Sequence, residues 1–175
     1  LGVIKSFHKL VNHDRADYYF FSDQDDVWLP NKLELSLKEA QNYLADLPLM
    51  VYMDLKVVNQ DLKIMTESMV KSQSHHANTE LVQELTENTV TGGVAMINHA
   101  LAEMWQETDD ILMHDWYLAL LASAFGNLVF IDQPGELYRQ HSDNVLGART
   151  LSKRFKKWIR PHILFAVYWD LIKNS

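Results

Sequence analysis

The chain has 175 residues, 47% hydrophobic and 11% aromatic, with no cysteine and a formal net charge of −7. That apolar content suits one cored domain, and the missing cysteines exclude a disulfide framework, thiolate metal sites and a cysteine nucleophile. The charge is uneven: residues 1–148 carry 9 Lys/Arg against 22 Asp/Glu, a formal −13, whereas residues 149–175 carry 7 against 1, a formal +6.

The acidic body argues against nucleic acid as a partner. No apolar run is long enough to span a bilayer. In chain order, residues 1–11 predict a helix with Val3, Ile4, Phe7, Leu10 and Val11 on one face. It leads directly into an aromatic strand, Tyr18–Phe21. Pro30 stands near the first turn of a helix running to about Ala45, with Leu33, Leu37, Ala40 and Leu44 as its apolar stripe. Leu49–Val58 predicts a strand containing Asp54. Residues 59–80 read as a polar excursion with a short helix, and Glu80–Glu87 as another short helix. Thr91-Gly92-Gly93 predicts a turn into a strand, followed by a helix from Asn98 to Gln106. His114–Phe125 reads as an apolar helix stopped by Gly126. Leu128–Ile131 and Glu136–Arg139 predict two further strands, and Leu151–Ile172 a basic, aromatic helix. Alternating strands and helices imply an α/β domain with a mixed, mostly parallel sheet flanked by helices, whose ligands gather at the strands' carboxyl ends.

The most informative stretch is Phe20-Phe21-Ser22-Asp23-Gln24-Asp25-Asp26-Val27-Trp28. A buried strand delivers three carboxylates to one point. Such a cluster is costly unless a cation sits among the acids. Oxygen donors alone favour Mg²⁺ or Mn²⁺ over zinc. The competing reading, a solvated turn with Asp26 favouring a helix start, leaves three acids between Phe-Phe and Val-Trp poorly explained.

Three other segments carry chemistry. In His114-Asp115-Trp116, Asp115 reads either as a general base walled by Trp116 or as a helix cap. A helix N-terminus lowers the pKa of such a carboxylate, whereas burial and nearby acids raise it. In Tyr138-Arg139-Gln140-His141, Arg139 and His141 share one face of an extended segment. His141 is a candidate metal ligand, and Arg139 a candidate to meet a phosphate or brace a carboxylate. Thr91-Gly92-Gly93 allows close approach of a ligand to the backbone, or is a plain turn.

Taken in order, these segments resemble the family-2 inverting glycosyltransferases of the GT-A fold, with the bacterial rhamnosyltransferases of polysaccharide assembly as the nearest branch. The likeness rests on Phe21–Trp28, Thr91–Gly93, His114–Trp116, Tyr138–His141 and Asn144–Ala148. It implies a partial GT-A (nucleotide-diphospho-sugar transferase) domain over 1–148, with a basic amphipathic helical segment over 149–175. Asp23-Gln24-Asp25 resembles the family's Asp-x-Asp motif, so Asp23, Asp25 and His141 are the implied ligands of Mg²⁺ or Mn²⁺. Asp115 is the implied base. Asp26, Trp28, Thr91, Gly92, His114, Trp116, Arg139 and Asn144 are implied substrate-binding residues.

The implied activity moves a sugar, rhamnose by this likeness, from a nucleoside-diphosphate donor such as dTDP-rhamnose to a cell-surface polysaccharide or lipid-linked acceptor. Relatives begin with an apolar strand and a nucleotide-binding loop that this sequence does not show. The expectation is therefore a fragment with weak activity alone and an unpaired sheet edge. The alternative is an inactive transferase-like module that binds metal, glycan or a partner chain. A metal-dependent phosphohydrolase finds no further ligand set. Residues 151–175 read either as a contact with an anionic membrane surface or as a closing helix with a basic face. The expected location is the cytoplasm, peripheral at the inner membrane face in the first of these readings.

Overall fold

A computed structural model describes residues 2–106 and 111–140, all within one compact unit, Leu1–Gln140. The expectations for His141, Asn144 and the basic segment 149–175 lie outside the described residues. The helices are α1 (Val3–Val11), α2 (Lys32–Ala40), α3 (Met69–Gln73), α4 (Leu81–Thr86), α5 (His99–Glu103) and α6 (His114–Phe125). The strands are β1 (Tyr18–Phe20), β2 (Val27–Trp28), β3 (Leu49–Val58), β4 (Ile64–Thr66), β5 (Ala95–Asn98) and β6 (Asn127–Arg139).

These strands form one sheet in the order β1-β5-β3-β6-β2, with β4 paired to β3. It is a mixed α/β arrangement consistent with part of a GT-A-like fold. The long β3–β6 ladder is parallel, and the shorter ladders are antiparallel. The parallel ladder needs a crossover, which α4, α5 and α6 supply with β5 between them. Among the described residues β1 has no strand on its outer edge.

Strand β3 is the spine. Of its ten residues only Lys56 is not buried, as expected for a strand covered on both faces. Its side chains alternate accordingly. Met50 and Tyr52 enter a core with Leu101, Trp105, Leu118 and Ala119, flanked by Phe7 of α1. Leu49 and Val51 pack with Ala40 of α2, and Met53, Leu55 and Val57 pack near Leu35 and Met69. Asp54 interrupts this apolar run for a local reason. Its Oδ1 accepts the Met69 and Val70 N–H groups at 3.0 and 3.2 Å, and its Oδ2 accepts the Ser68 hydroxyl. It thereby holds the start of α3.

Three elements differ from their sequence pattern. Helix α2 buries Lys32, Ser36 and Ala40, while Leu33, Leu37 and Leu44 are exposed. Lys32, Ser36 and Ala40 form one i, i+4, i+8 row, in which the small Ser36 and Ala40 face the sheet and Lys32 reaches a buried acid. On α1, Val11 is buried and Ile4 and Phe7 pack on the core, but Val3 and Leu10 are each 67% exposed. The two strands expected after Gly126 are one, since Pro134-Gly135 falls at a register shift opposite Met53, Asp54 and Leu55 rather than at a turn. The polar excursion contains β4 as well as its helix, and the acidic turn runs into β2.

Candidate functional site

The acidic turn leaves β1, crosses the end of the sheet and returns as β2 against β6. Phe21 is buried before it, while Asp23 is exposed and Asp25 and Asp26 are half-buried. The turn is held from β6. The Arg139 backbone N–H donates to Asp26 Oδ1 at 2.8 Å, and its guanidinium Nε donates to the Asp25 carbonyl at 3.0 Å. The same guanidinium reaches the Gln60 carbonyl at 2.8 Å. Arg139 therefore grips the backbone and one carboxylate of the turn.

Burial is the largest influence on Asp26 and raises its pKa to about 6, against the Arg139 N–H bond, which lowers it. Asp23, although its side chain is open to solvent, is raised in the same direction, by partial desolvation first and then by Asp25, with Lys32 opposing. Asp26 Oδ2 is buried without a hydrogen-bond partner.

Across the site, Asp115 lies in the first turn of α6 and is 5% exposed. Met113, not Asp115, occupies the cap position. The carboxylate is gripped at both oxygens, accepting the Trp116 N–H on Oδ1 at 2.7 Å and the Gly92 N–H on Oδ2 at 3.1 Å. These bonds lower its pKa, yet burial outweighs them and raises it to about 6, with the charge of Asp23 adding to the rise. Burial thus decides the tension between helix end and desolvation.

The glycine turn, a single 3₁₀ turn over Gly92–Val94, holds Asp115 through the Gly92 N–H. It is no plain turn. A Cβ on Gly92 would stand 2.8 Å from His114 Nε2, and one on Gly93 would stand 2.5 Å from Glu136 Oε1. His114 itself lies among Phe7, Phe21 and Trp105, with ring centroids 4.7, 5.1 and 6.2 Å away. Burial lowers its pKa to about 4, so it is neutral at physiological pH. Its Nε2 is buried without a partner. The Trp116 indole N–H is committed to the Glu84 carbonyl at 2.8 Å.

The structure adds three charged residues that sequence pattern does not single out. Lys32 and Glu136 form an ion pair at 3.0 Å, with side chains 1% and 0% exposed. Lys32 Nζ also donates to the Gly93 carbonyl and stands 3.7 Å from the centroid of the Trp28 ring. Glu84 of α4 is fully buried and accepts the Thr89 hydroxyl at 3.2 Å. Burial raises Glu84 to about 7, with Asp115 adding to the rise. For Lys32 and Glu136 the sequence neighbours give no local hint, because the two partners are 104 residues apart.

The acidic turn offers the oxygen donors a hard divalent ion prefers. Among the described residues, no group of three or more His, Asp or Glu side chains converges as a metal cage. A magnesium-like ion needs only one or two carboxylates when substrate phosphates complete its shell, so Asp23 and Asp25 fit that requirement. Among the described residues, no helix is long and apolar enough to cross a membrane.

No family model matches the chain. It is similar to the dTDP-rhamnosyl transferase RfbG of Shigella flexneri, 27% identical over 180 residues. That match covers 93% of this chain and 60% of the relative's length. The chain is, at this distance, related to a glycosyltransferase.

Proposed function

We propose that the chain carries the catalytic end of an inverting glycosyltransferase that moves rhamnose from dTDP-rhamnose to a glycan or lipid-linked acceptor. The observation that carries the reading is Asp115, buried in the first turn of α6 and gripped by the N–H groups of Gly92 and Trp116. The named substrate of the related transferase supports the donor.

Asp115 takes the proton of an acceptor hydroxyl as that oxygen attacks the anomeric carbon. The bond from that carbon to the diphosphate oxygen breaks on the opposite face, so configuration inverts in one displacement. A base with its pKa near 6 is ionised at neutral pH and retains more proton affinity than an ordinary carboxylate. The Gly92 and Trp116 N–H groups fix its orientation. Asp23 and Asp25, with His141 as the third expected ligand, would hold Mg²⁺ or Mn²⁺. Bound there, the ion neutralises charge on the leaving diphosphate. Arg139 keeps the turn in place for that role.

The test is calorimetric titration with Mn²⁺ and dTDP, followed by dTDP release from dTDP-rhamnose with and without a bacterial lipid-glycan extract. Metal-dependent release that requires the extract supports the reading. Release that ignores the extract marks a hydrolase, and binding of neither ligand overturns the proposal.

A further inference from the structure

Glu84 lies on the short helix α4 and is fully buried. Taking an acid out of water carries a penalty that an apolar side chain of the same size would not. What distinguishes Glu84 is that it holds two segments at once. Its side-chain Oε1 accepts the Thr89 hydroxyl at 3.2 Å and the Thr89 backbone N–H at 3.4 Å. Its backbone carbonyl accepts the Trp116 indole N–H at 2.8 Å.

Those two segments carry the two grips on Asp115. The Gly92 N–H, a short step along the chain from Thr89, donates to Asp115 Oδ2 at 3.1 Å, and the Trp116 backbone N–H donates to Oδ1 at 2.7 Å. The bonds therefore close a ring. It runs from Asp115 to Gly92, back along the chain to Thr89, through Glu84 to Trp116, and so to Asp115 again. The Thr89 hydroxyl is its fixed point. It accepts the Asn78 N–H at 2.9 Å and lies 3.0 Å from the Tyr52 hydroxyl. Tyr52 is fully buried on β3 and donates in turn to the Asn78 carbonyl at 2.7 Å. The ring is thus moored to the central strand of the sheet. Burial of Val90 in the apolar core would hold the chain in this region by itself. It does not account for a hydroxyl shared by Glu84, Asn78 and Tyr52.

We propose that Glu84 and Thr89 are positioning residues for Asp115, tying Gly92 and Trp116 to each other and to Tyr52 so that both N–H groups stay aimed at the carboxylate. This rests on reading Asp115 as the base, but its test follows the carboxyl itself and uses neither donor, metal nor turnover.

N–H bonds favour an ionised carboxylate, and those of Gly92 and Trp116 act on Asp115 against its burial. Loosening either one lets Asp115 titrate higher. The direction separates this role from a direct effect of charge. A carboxylate at Glu84 acting through space would raise Asp115, so its removal would move Asp115 down.

The experiment is an NMR titration of the Asp115 carboxyl carbon in the intact chain, with Asp115→Asn assigning the resonance. Hydrogen exchange of the Trp116 indole N–H is followed alongside. Thr89→Val removes the hydroxyl at nearly equal volume. In it Asp115 should titrate at least about half a pH unit higher, as partial loss of a charged hydrogen bond requires. The Trp116 indole N–H should exchange at least about fivefold faster. Thr89→Ser restores the hydroxyl and should return both readouts to the parent values. Glu84→Gln keeps an oxygen for Thr89 and should also leave both in place. Should Thr89→Val fail to fold, Trp116→Phe opens the ring at its other end, and Asp115 should rise there by the same amount.

A folded Thr89→Val or Trp116→Phe in which Asp115 titrates as in the parent overturns the proposal, leaving Thr89 and Glu84 as core packing. So does a rise in Thr89→Ser equal to that in Thr89→Val. A fall in Glu84→Gln as large as the expected rise assigns the effect to charge and overturns it too. Absence of transferase activity would sink the proposed function and leave these outcomes intact.

Discussion

Asp26 Oδ1 accepts the backbone N–H of Arg139 at 2.8 Å, a bond between residues 113 apart in sequence. Because the donor is backbone, the bond depends on what the acceptor is, not on the identity of residue 139. Asp26→Asn keeps an oxygen there and removes a half-buried charge, so its stability to urea should equal or exceed that of the parent. Asp26→Ala should lose about 1 kcal/mol, the usual net worth of such a bond. Equal loss in both variants would show that the charge, not the bond, matters.

Asp115 predicts a pH profile. The base works only when ionised, and burial raises its pKa to about 6. Transfer measured as kcat/KM should therefore fall as pH drops through about 6 and level off above it. Asp115→Asn should lower the rate by about 10²–10⁴ and abolish that acidic limb, with the fold kept. A variant that retains the limb would assign the base to another residue.

Stability should run the other way with pH. Asp115 and Glu84 bind their protons more tightly in the folded chain, with values raised to about 6 and about 7 by burial. Their contribution to stability is full below their unfolded values of 3.8 and 4.5 and is lost as pH rises through about 6 and about 7. The melting temperature should decline between about pH 4 and pH 7, and Glu84→Gln should flatten that decline. A melting temperature that climbs across this window would contradict the burial of these acids.

The glycines separate backbone from side-chain obstruction. A Cβ on Gly126 would stand 1.9 Å from the Pro48 carbonyl oxygen, which is backbone and cannot turn aside. A Cβ on Gly93 would meet a Glu136 side-chain oxygen, and one on Gly92 the His114 ring. Gly93→Ala should cost about 1–3 kcal/mol, as overpacking commonly does, and Gly126→Ala more. Gly92→Ala should shift the His114 ring resonances before it affects global stability. Thermal melts and imidazole NMR of the three variants would order them.

Much of the site frame is legible in the sequence because its signals are local. The acidic turn follows directly on Tyr18–Phe20, β3 matches its apolar run residue for residue, and α6 ends at Gly126 as its last apolar position suggests. What is hidden is what depends on distant partners. Leu33 and Leu37 form an apolar row as regular as any, yet α2 turns Lys32 and Ser36 inward, because an acid on β6 can accept the lysine. Nothing near Lys32 in sequence announces Glu136. The single strand β6 was equally concealed, since Pro134-Gly135 has the composition of a turn and only the shift against β3 absorbs it. Asp54 is an acid in an apolar strand to which the sequence assigns no role, and only the fold shows it holding the start of α3.

Asp115 hangs from Gly92, just before β5, and the acidic turn hangs from Arg139, at the end of β6. Those two strands flank β3 on opposite sides. Neighbouring strands are spaced by about 4.8 Å, so β5 and β6 run about 10 Å apart on the two sides of β3, with Ala95 opposite Tyr52 and Arg139 opposite Val58. The sheet acts as a fixed gauge between proton acceptor and acid cluster. Changes to the loops can alter what fills that interval, but its width is set by the hydrogen-bonded ladders on either side of one strand.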